Sequence, residues 1–247
     1  MNKKNDFSQK MHSYLRHPAS LIMMILVKLA ALITFTVLIF LIIYILVHGV
    51  PYLKPSLFSL HYNSENASLM PALINTVIMT LLSLLLAVPI GIFSAIFLAE
   101  YAGKGNKFVD IIRLTTETLS GIPSIVYGLF GMLFFVSTCH WGFSLLAGAF
   151  TLAIMILPLI MRTTEEALLS VPDSYREGSF GLGAGKLRTV FYIVLPSAVP
   201  GILAGVILAI GRIVGETAAL IYTAGSVAQV PSSVLGSGRT LAVHMYL

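Results

Sequence analysis

Charge is what this 247-residue sequence has least of. Asp, Glu, Lys and Arg together make up 10% of it, against about 25% in ordinary soluble domains. So small a polar complement cannot cover the surface of a soluble fold of this length. Cysteine is nearly missing too: Cys139 stands alone, which excludes an internal disulfide and leaves it as a small residue at a turn. The six histidines, His12, His17, His48, His61, His140 and His244, are scattered without metal-ligand spacing. There is no H-E-x-x-H and no Cys/His cluster, and no G-x-S-x-G nucleophile turn. The stretch GLGAGKL, Gly181 to Leu187, has Phe180 where a phosphate loop needs its first glycine and Leu187 where it needs Ser or Thr. These gaps remove catalytic, metal-binding and nucleotide-binding roles for this chain.

What is abundant is apolar sequence, 57% of the chain. A helix needs about 20 apolar residues to cross a bilayer. No Asp, Glu, Lys or Arg occurs from Ala30 to Val50, from Asn66 to Ala99, or from Leu119 to Met161. The last run is too long for one helix and holds a turn-like CHWG, Cys139 to Gly142. The sequence therefore predicts an all-α, polytopic membrane protein with five spans, near 29–49, 75–99, 120–138, 143–161 and 198–222. Residues 1–28 form an N-terminal segment, 29–247 a single transmembrane domain, and 162–197 a long connecting loop. The first span exceeds a signal-peptide core and lacks an obvious cleavage site, so it reads as a retained helix.

Basic residues orient the spans. Lys3, Lys4, Lys10, Arg16 and Lys28 precede the first. Lys104, Lys107 and Arg113 lie between the second and third, and Arg162, Arg176, Lys186 and Arg188 between the fourth and fifth. All three clusters fall on one side, whereas the other holds only Lys54 and Arg239. The N-terminus and the long loop are thus expected in the cytoplasm. The net charge of +5 is a topology signal, and its scatter over three segments argues against a nucleic-acid surface. After five spans the end GSGRTLAVHMYL begins to turn apolar and stops, like the approach to a sixth helix that is missing. A truncated sequence and a true five-span protein are both open at this point.

The long loop contains REGSFGLGAGKLRTVFYIVLP, Arg176 to Pro196. Ahead of it, SVPDSYREG reads as a helix start with Ser170 as cap and Pro172 in the first turn. Gly181, Gly183 and Gly185 then turn the chain, and LRTVFYIVL restarts a helix that Pro196 ends before the next span. A connector of this length with its own helices is expected to dock a soluble partner. Its residues resemble the EAA motif of ABC importer permeases: Glu177 opens it, Gly183 follows at the right spacing, and Ile193, Leu195 and Pro196 close it. The two alanines of the motif are Gly178 and Ser179 here, both small. LSGIPSIVYGLFG (Leu119 to Gly131), AIGRIVGETAAL (Ala209 to Leu220), the stretch from Asn75 to Ala102 and GSGRTLAVHMY further resemble phosphate-transport permeases of the PstA type.

The resemblance covers roughly residues 70 to 247. It implies a MetI-like permease fold, normally of six spans, in a bacterial or archaeal cytoplasmic membrane. The loop would couple to two copies of a cytoplasmic ABC ATPase, which would hold the ATP and Mg; this chain would bind no cofactor of its own and would not be an enzyme. A second permease of the PstC type and an extracytoplasmic phosphate-binding protein would complete the importer.

Arg212 and Glu216 carry a transport role independently. Four residues apart, they are expected on one helix face. Charges within a membrane are expensive and either pair or line a cavity, and a guanidinium fork suits phosphate oxygens. A structural salt bridge and a gating pair are both compatible with that spacing. In the resembling family Arg212, Glu216 and the adjacent Thr217 belong to the substrate pathway. Gly121, Pro123, Ser124 and Gly128 mark helix packing or a kink. Two alternatives to a phosphate permease remain: a permease for another oxyanion such as sulfate or molybdate, and an ATPase-independent channel or scaffold.

Overall fold

A computed structural model describes residues 18–63, 66–102, 105 and 107–247. Lys3, Lys4, Lys10, Arg16 and Lys104, with His12 and His17, lie outside the described residues. The chain divides into two compact units between Pro55 and Ser56. In the first, α1 (Pro18–Gly49) is apolar on every face, the pattern of a helix surrounded by lipid. It begins well before the expected boundary and takes in Lys28.

The second unit is built on three long helices. These are α2 (Met70–Ile96, continued by a π turn over Phe97–Tyr101), α5 (Leu145–Leu169) and α8 (Leu195–Val214). Between α2 and α5 come α3 (Lys107–Ser120) and α4 (Ser124–Gly131, with a π stretch over Met132–Thr138), set at 100° to each other. Between α5 and α8 lie α6 (Asp173–Gly181) and α7 (Lys186–Thr189). Short helices α9 (Ala218–Ile221) and α10 (Leu241–Tyr246) follow α8. Among the described residues, counting α1, four helices are long and apolar enough to cross a membrane, or five if α3 and α4 form one bent span.

Helix α5 is the centre. Small residues let α2 and α8 approach it closely: Gly148 meets Met79 of α2, and Gly201 and Gly205 of α8 pack on Ala167 and Thr163. Met79, Leu152, Ile156 and Leu220 fill the core between them. Pro89, Pro158 and Pro200 sit inside α2, α5 and α8, which membrane helices tolerate because neighbouring groups take up the freed carbonyls. The first amides of α5 need partners outside the helix. Ser144, Leu145 and Leu146 donate to the carbonyls of Thr223, Gly236 and Val234 at 3.0, 3.0 and 2.9 Å, and Ser144 Oγ caps Ala147 N–H. The buried Asn75 amide donates to the Gln229 and Arg239 carbonyls at 3.0 and 3.1 Å. The 223–240 segment is thus fixed over the ends of α2 and α5.

Four sequence expectations are corrected. Helix α5 runs past Met161 to Leu169, taking the start of the expected loop. Ser170 does not cap the next helix: it closes α5, its hydroxyl donating to Ala167 O at 2.7 Å, and Pro172 takes the N-cap place of α6. Pro196 ends nothing. A π turn over Val190–Val194 precedes it, so α7 and α8 form one continuous helix from Lys186 to Val214. Wider i→i+5 bonding relieves both the missing N–H and the ring clash that proline brings to a plain α-helix. Finally, the fifth span is not helical to Tyr222, because the helix stops at Val214 and resumes at Ala218.

Candidate functional site

Two clusters gather the residues singled out by sequence. The first is the α6–turn–α7 loop. Gly183 has φ +82°, the left-handed region where a side chain is strained. Its N–H donates to Phe180 O at 2.9 Å and Ala184 N–H donates to Ser179 O at 3.1 Å, a Schellman closure of α6. Ser179 Oγ and Thr189 Oγ1 lie 2.8 Å apart and tie α6 to α7. A groove lined by Tyr175, Gly178, Ser179, Leu182, Gly183 and Ile193 opens on the outer side of this turn. Gly178 faces open space, and Leu182 is 92% exposed. Glu177 and Pro196 are also exposed. Leu195, by contrast, packs into the base of the loop.

That base is a second apolar core. Ala95 and Ile96 of α2, Leu168 of α5, Val171, and Val190 and Val194 below α8 meet in it. One polar residue crosses it. Arg176 gives Glu100 three contacts, Nη2 to Oε1 at 2.6 Å and Nε to Oε1 and Oε2 at 3.2 and 3.4 Å. Its remaining donors reach Leu168 O at 2.9 Å, Val171 O at 2.7 Å and Asp173 Oδ1 at 3.2 Å. The pair is largely buried, with side chains 15% and 7% exposed. The hydrogen bond to Glu100 holds the Arg176 guanidinium above its usual pKa, against the opposing effect of burial. Nearby, Lys186 Nζ stands 5.1 Å over the Tyr101 ring. Sequence reading missed Glu100 and its pairing with Arg176. The available signal was the first acid after the uncharged run from Asn66.

The second cluster surrounds the break after α8. Gly215 closes the helix, so Arg212 and Glu216 do not share one face of an unbroken helix. Glu216 is 8% exposed, and its Oε1 accepts from Ala219 N–H at 3.0 Å, capping α9. Thr217 begins α9 without a side-chain cap. Among the described residues Arg212 makes no hydrogen bond or ion pair, with Glu216 or any other group, so of the two readings of that spacing the salt bridge is not formed here. The guanidinium is half-buried, with the Tyr127 hydroxyl as an electrostatic neighbour. Tyr127 in turn donates to Leu119 O at 2.8 Å, across the α3–α4 bend.

The bend falls at Gly121–Pro123, where Pro123 precedes Ser124, the first residue of α4. Gly128 packs α4 on the α9 backbone: a Cβ there would stand 2.7 Å from Ala219 Cα. Gly128 thus packs beside the break that follows Arg212, while Gly121, Pro123 and Ser124 form the α3–α4 bend. Glu165 and Glu166, one turn past Arg162 on α5, differ in their surroundings. Glu166 is exposed and paired along the helix with Arg162. Glu165 is 14% exposed and bridges to Arg113 of α3 at 2.6 Å. Among the described residues no group of His, Cys, Asp and Glu is arranged to hold a metal.

An unpaired guanidinium in an apolar wall can meet an anion, and a fixed, outward helical turn can meet a protein. Residues 87–245 match the model of a family described as "Binding-protein-dependent transport system inner membrane component". The chain is 36% identical over 233 residues to the "Probable ABC transporter permease protein YqgI" of Bacillus subtilis, covering 88% of this chain and 79% of that one. It is 39% identical to the "Phosphate transport system permease protein PstA" of Haemophilus influenzae, over 71% of this chain and 62% of the relative. It is 40% identical to "Phosphate transport system permease protein PstA 2" of Mycobacterium bovis, over 65% and 53%. The chain therefore spans between half and two thirds of the length of these two PstA relatives.

Proposed function

The chain belongs to the binding-protein-dependent transport system inner membrane components, and from that premise we propose that it is the permease subunit of an ATP-driven importer of inorganic phosphate. Arg212 carries the reading. Among the described residues it is a guanidinium without a hydrogen-bond or ion-pair partner, set in the last turn of an apolar helix beside a helix break. Its planar donor fork matches phosphate oxygens. The names of the PstA relatives point to the same substrate.

In this reading the chain forms half of the pathway, and a second permease of the PstC type forms the rest. An extracytoplasmic phosphate-binding protein delivers the anion. Two ATPase subunits on the cytoplasmic side bind ATP and Mg and hydrolyse the nucleotide, and the α6–α7 turn passes their closure to the helices. The N-terminus lies in the cytoplasm, and the assembly sits in the cytoplasmic membrane. Alternating access then exposes Arg212 first outward and then inward. Arg212 attracts the anion without holding it through a competing carboxylate, since Glu216 is engaged in capping α9.

Uptake of labelled phosphate by cells lacking their own high-affinity importer tests this, with the chain expressed beside its transporter partners. ATP-dependent uptake that Arg212→Gln abolishes, with the protein still in the membrane, is the expected result. Uptake of sulfate or molybdate instead of phosphate would overturn the substrate; uptake indifferent to ATP would overturn the importer.

A further inference from the structure

We propose that Glu100 and Tyr101, at the π-helical end of α2, receive the motion of the coupling loop and pass it to α2, so that this helix moves with the loop although it is far from it in the chain. This rests on the coupling role given above to α6 and α7.

Each short helix of the loop holds one of these two neighbouring residues. From α6, Arg176 reaches Glu100 through two of its nitrogens. From α7, Lys186 lies over the Tyr101 ring. The π turn is what brings Glu100 into reach. Along α2 the buried positions run Ser83, Ala87, Gly91 and Ala95, each four residues on. Another plain α turn would put Ala99 on this face. Ala99 does pack against this core, and the wider π turn over Phe97–Tyr101 brings Glu100, five residues after Ala95, above it as well.

A carboxylate at the C-terminal end of a helix faces the negative pole of the helix dipole and is unfavourable there unless paired. The end of α2 therefore depends on Arg176. That residue has no free nitrogen with which to leave: its other contacts are the carbonyls of Leu168 and Val171 at the end of α5, and Asp173 in α6. The ion pair thus joins three helix ends through one planar group. Under it, Ala95 and Ile96 share an apolar core with Leu168 and Val190. A load on α6 reaches α2 through a rigid, dry joint, because packed interiors transmit displacement.

The assay uses the full complex with its partner permease, ATPase and binding protein in proteoliposomes. It reads phosphate moved per ATP hydrolysed. Glu100→Gln keeps the shape and removes the charge. It is expected to lower that ratio at least about tenfold, a modest effect for removing one partner of a buried charge pair, while ATPase subunits still co-purify. Glu100→Asp restores most of the ratio. In parallel, spin labels on Leu182 in the loop and Phe93 on α2 keep a constant separation on ATP addition in the unmodified complex, and change it in Glu100→Gln.

An unchanged ratio and unchanged label separation in Glu100→Gln would overturn the proposal. If Glu100→Gln fails to assemble, Tyr101→Leu, which removes only the cation–π contact, is read in the same way, and an unchanged ratio there also overturns it. Complexes that hydrolyse ATP but move no phosphate, with the label separation constant in the unmodified form and changed by ATP in Glu100→Gln, would sink the substrate reading and leave this proposal supported. An unmodified complex that hydrolyses no ATP, with a Glu100→Gln form whose label separation ATP leaves unchanged, sinks the coupling reading and this proposal with it.

Discussion

Ser179 and Thr189 meet hydroxyl to hydroxyl at 2.8 Å, closing α6 and α7 into one unit across the Gly183 turn. Thr189 is buried and also donates to Gly185 O at 3.2 Å, so it stays satisfied if Ser179 is lost. Ser179→Ala should therefore remove a single net hydrogen bond, about 1 kcal/mol. Amide exchange within 173–189 should accelerate about fivefold, with the exchange of α5 unaltered.

At Gly183 the difficulty is the backbone and not space, since a Cβ there meets nothing within 4 Å. Gly183→Ala should cost about 1–2 kcal/mol of loop stability. Gly183→Asn should cost less, because asparagine tolerates the left-handed region. Thermal unfolding of the purified protein in detergent orders the two. A steric origin would instead make the larger Asn the worse.

Gly128 presents the opposite case. A methyl group there drives into the Ala219 backbone, which cannot yield as a side-chain tip does. Gly128→Ala should destabilise by about 1–3 kcal/mol through overpacking. Gly121→Ala, at the bend and contacting only Thr118 O at 3.5 Å, serves as the mild comparison. Equal melting temperatures for the two would contradict this packing.

Arg212 and Glu216 separate by what each supports. Arg212→Gln breaks no ion pair and should leave stability within about 0.5 kcal/mol, while phosphate uptake falls. Glu216→Gln keeps an oxygen for Ala219 N–H and should preserve the fold. Glu216→Ala should lose the cap at about 1 kcal/mol. Uptake and melting temperature measured together on the three variants give the answer. A large loss of stability in Arg212→Gln would mean that the guanidinium has a structural partner.

The spans were legible because a bilayer-length helix needs a bilayer-length gap in charge, and such gaps are visible in one dimension. Their ends were less so. Helix α5 continues past Met161 because Arg162–Glu166 and Arg113–Glu165 pairs support its polar turns, and the second pair lies 52 residues apart in sequence. Pro196 misleads because a single-residue rule takes no account of a π turn. The four-residue spacing of Arg212 and Glu216 implies a shared face only while the helix persists, and Gly215 ends it. The loop turn was readable from its glycines, since left-handed backbone has a residue preference. The Glu100–Arg176 pair was not, since spacing says nothing about a contact between residues 76 apart.

The π turn before Pro196 also decides how far the loop can reach. By keeping α7 and α8 in line, it makes Lys186 to Val214 one rod of 29 residues, about 40 Å long at helical rise. Arg212 rides near the far tip of that rod. A lever of this length needs only about 5° of tilt at its foot to sweep its tip by about 3.5 Å, roughly the separation between touching atoms. A stroke too small to reshape the loop can thus lift the guanidinium clear of whatever it holds.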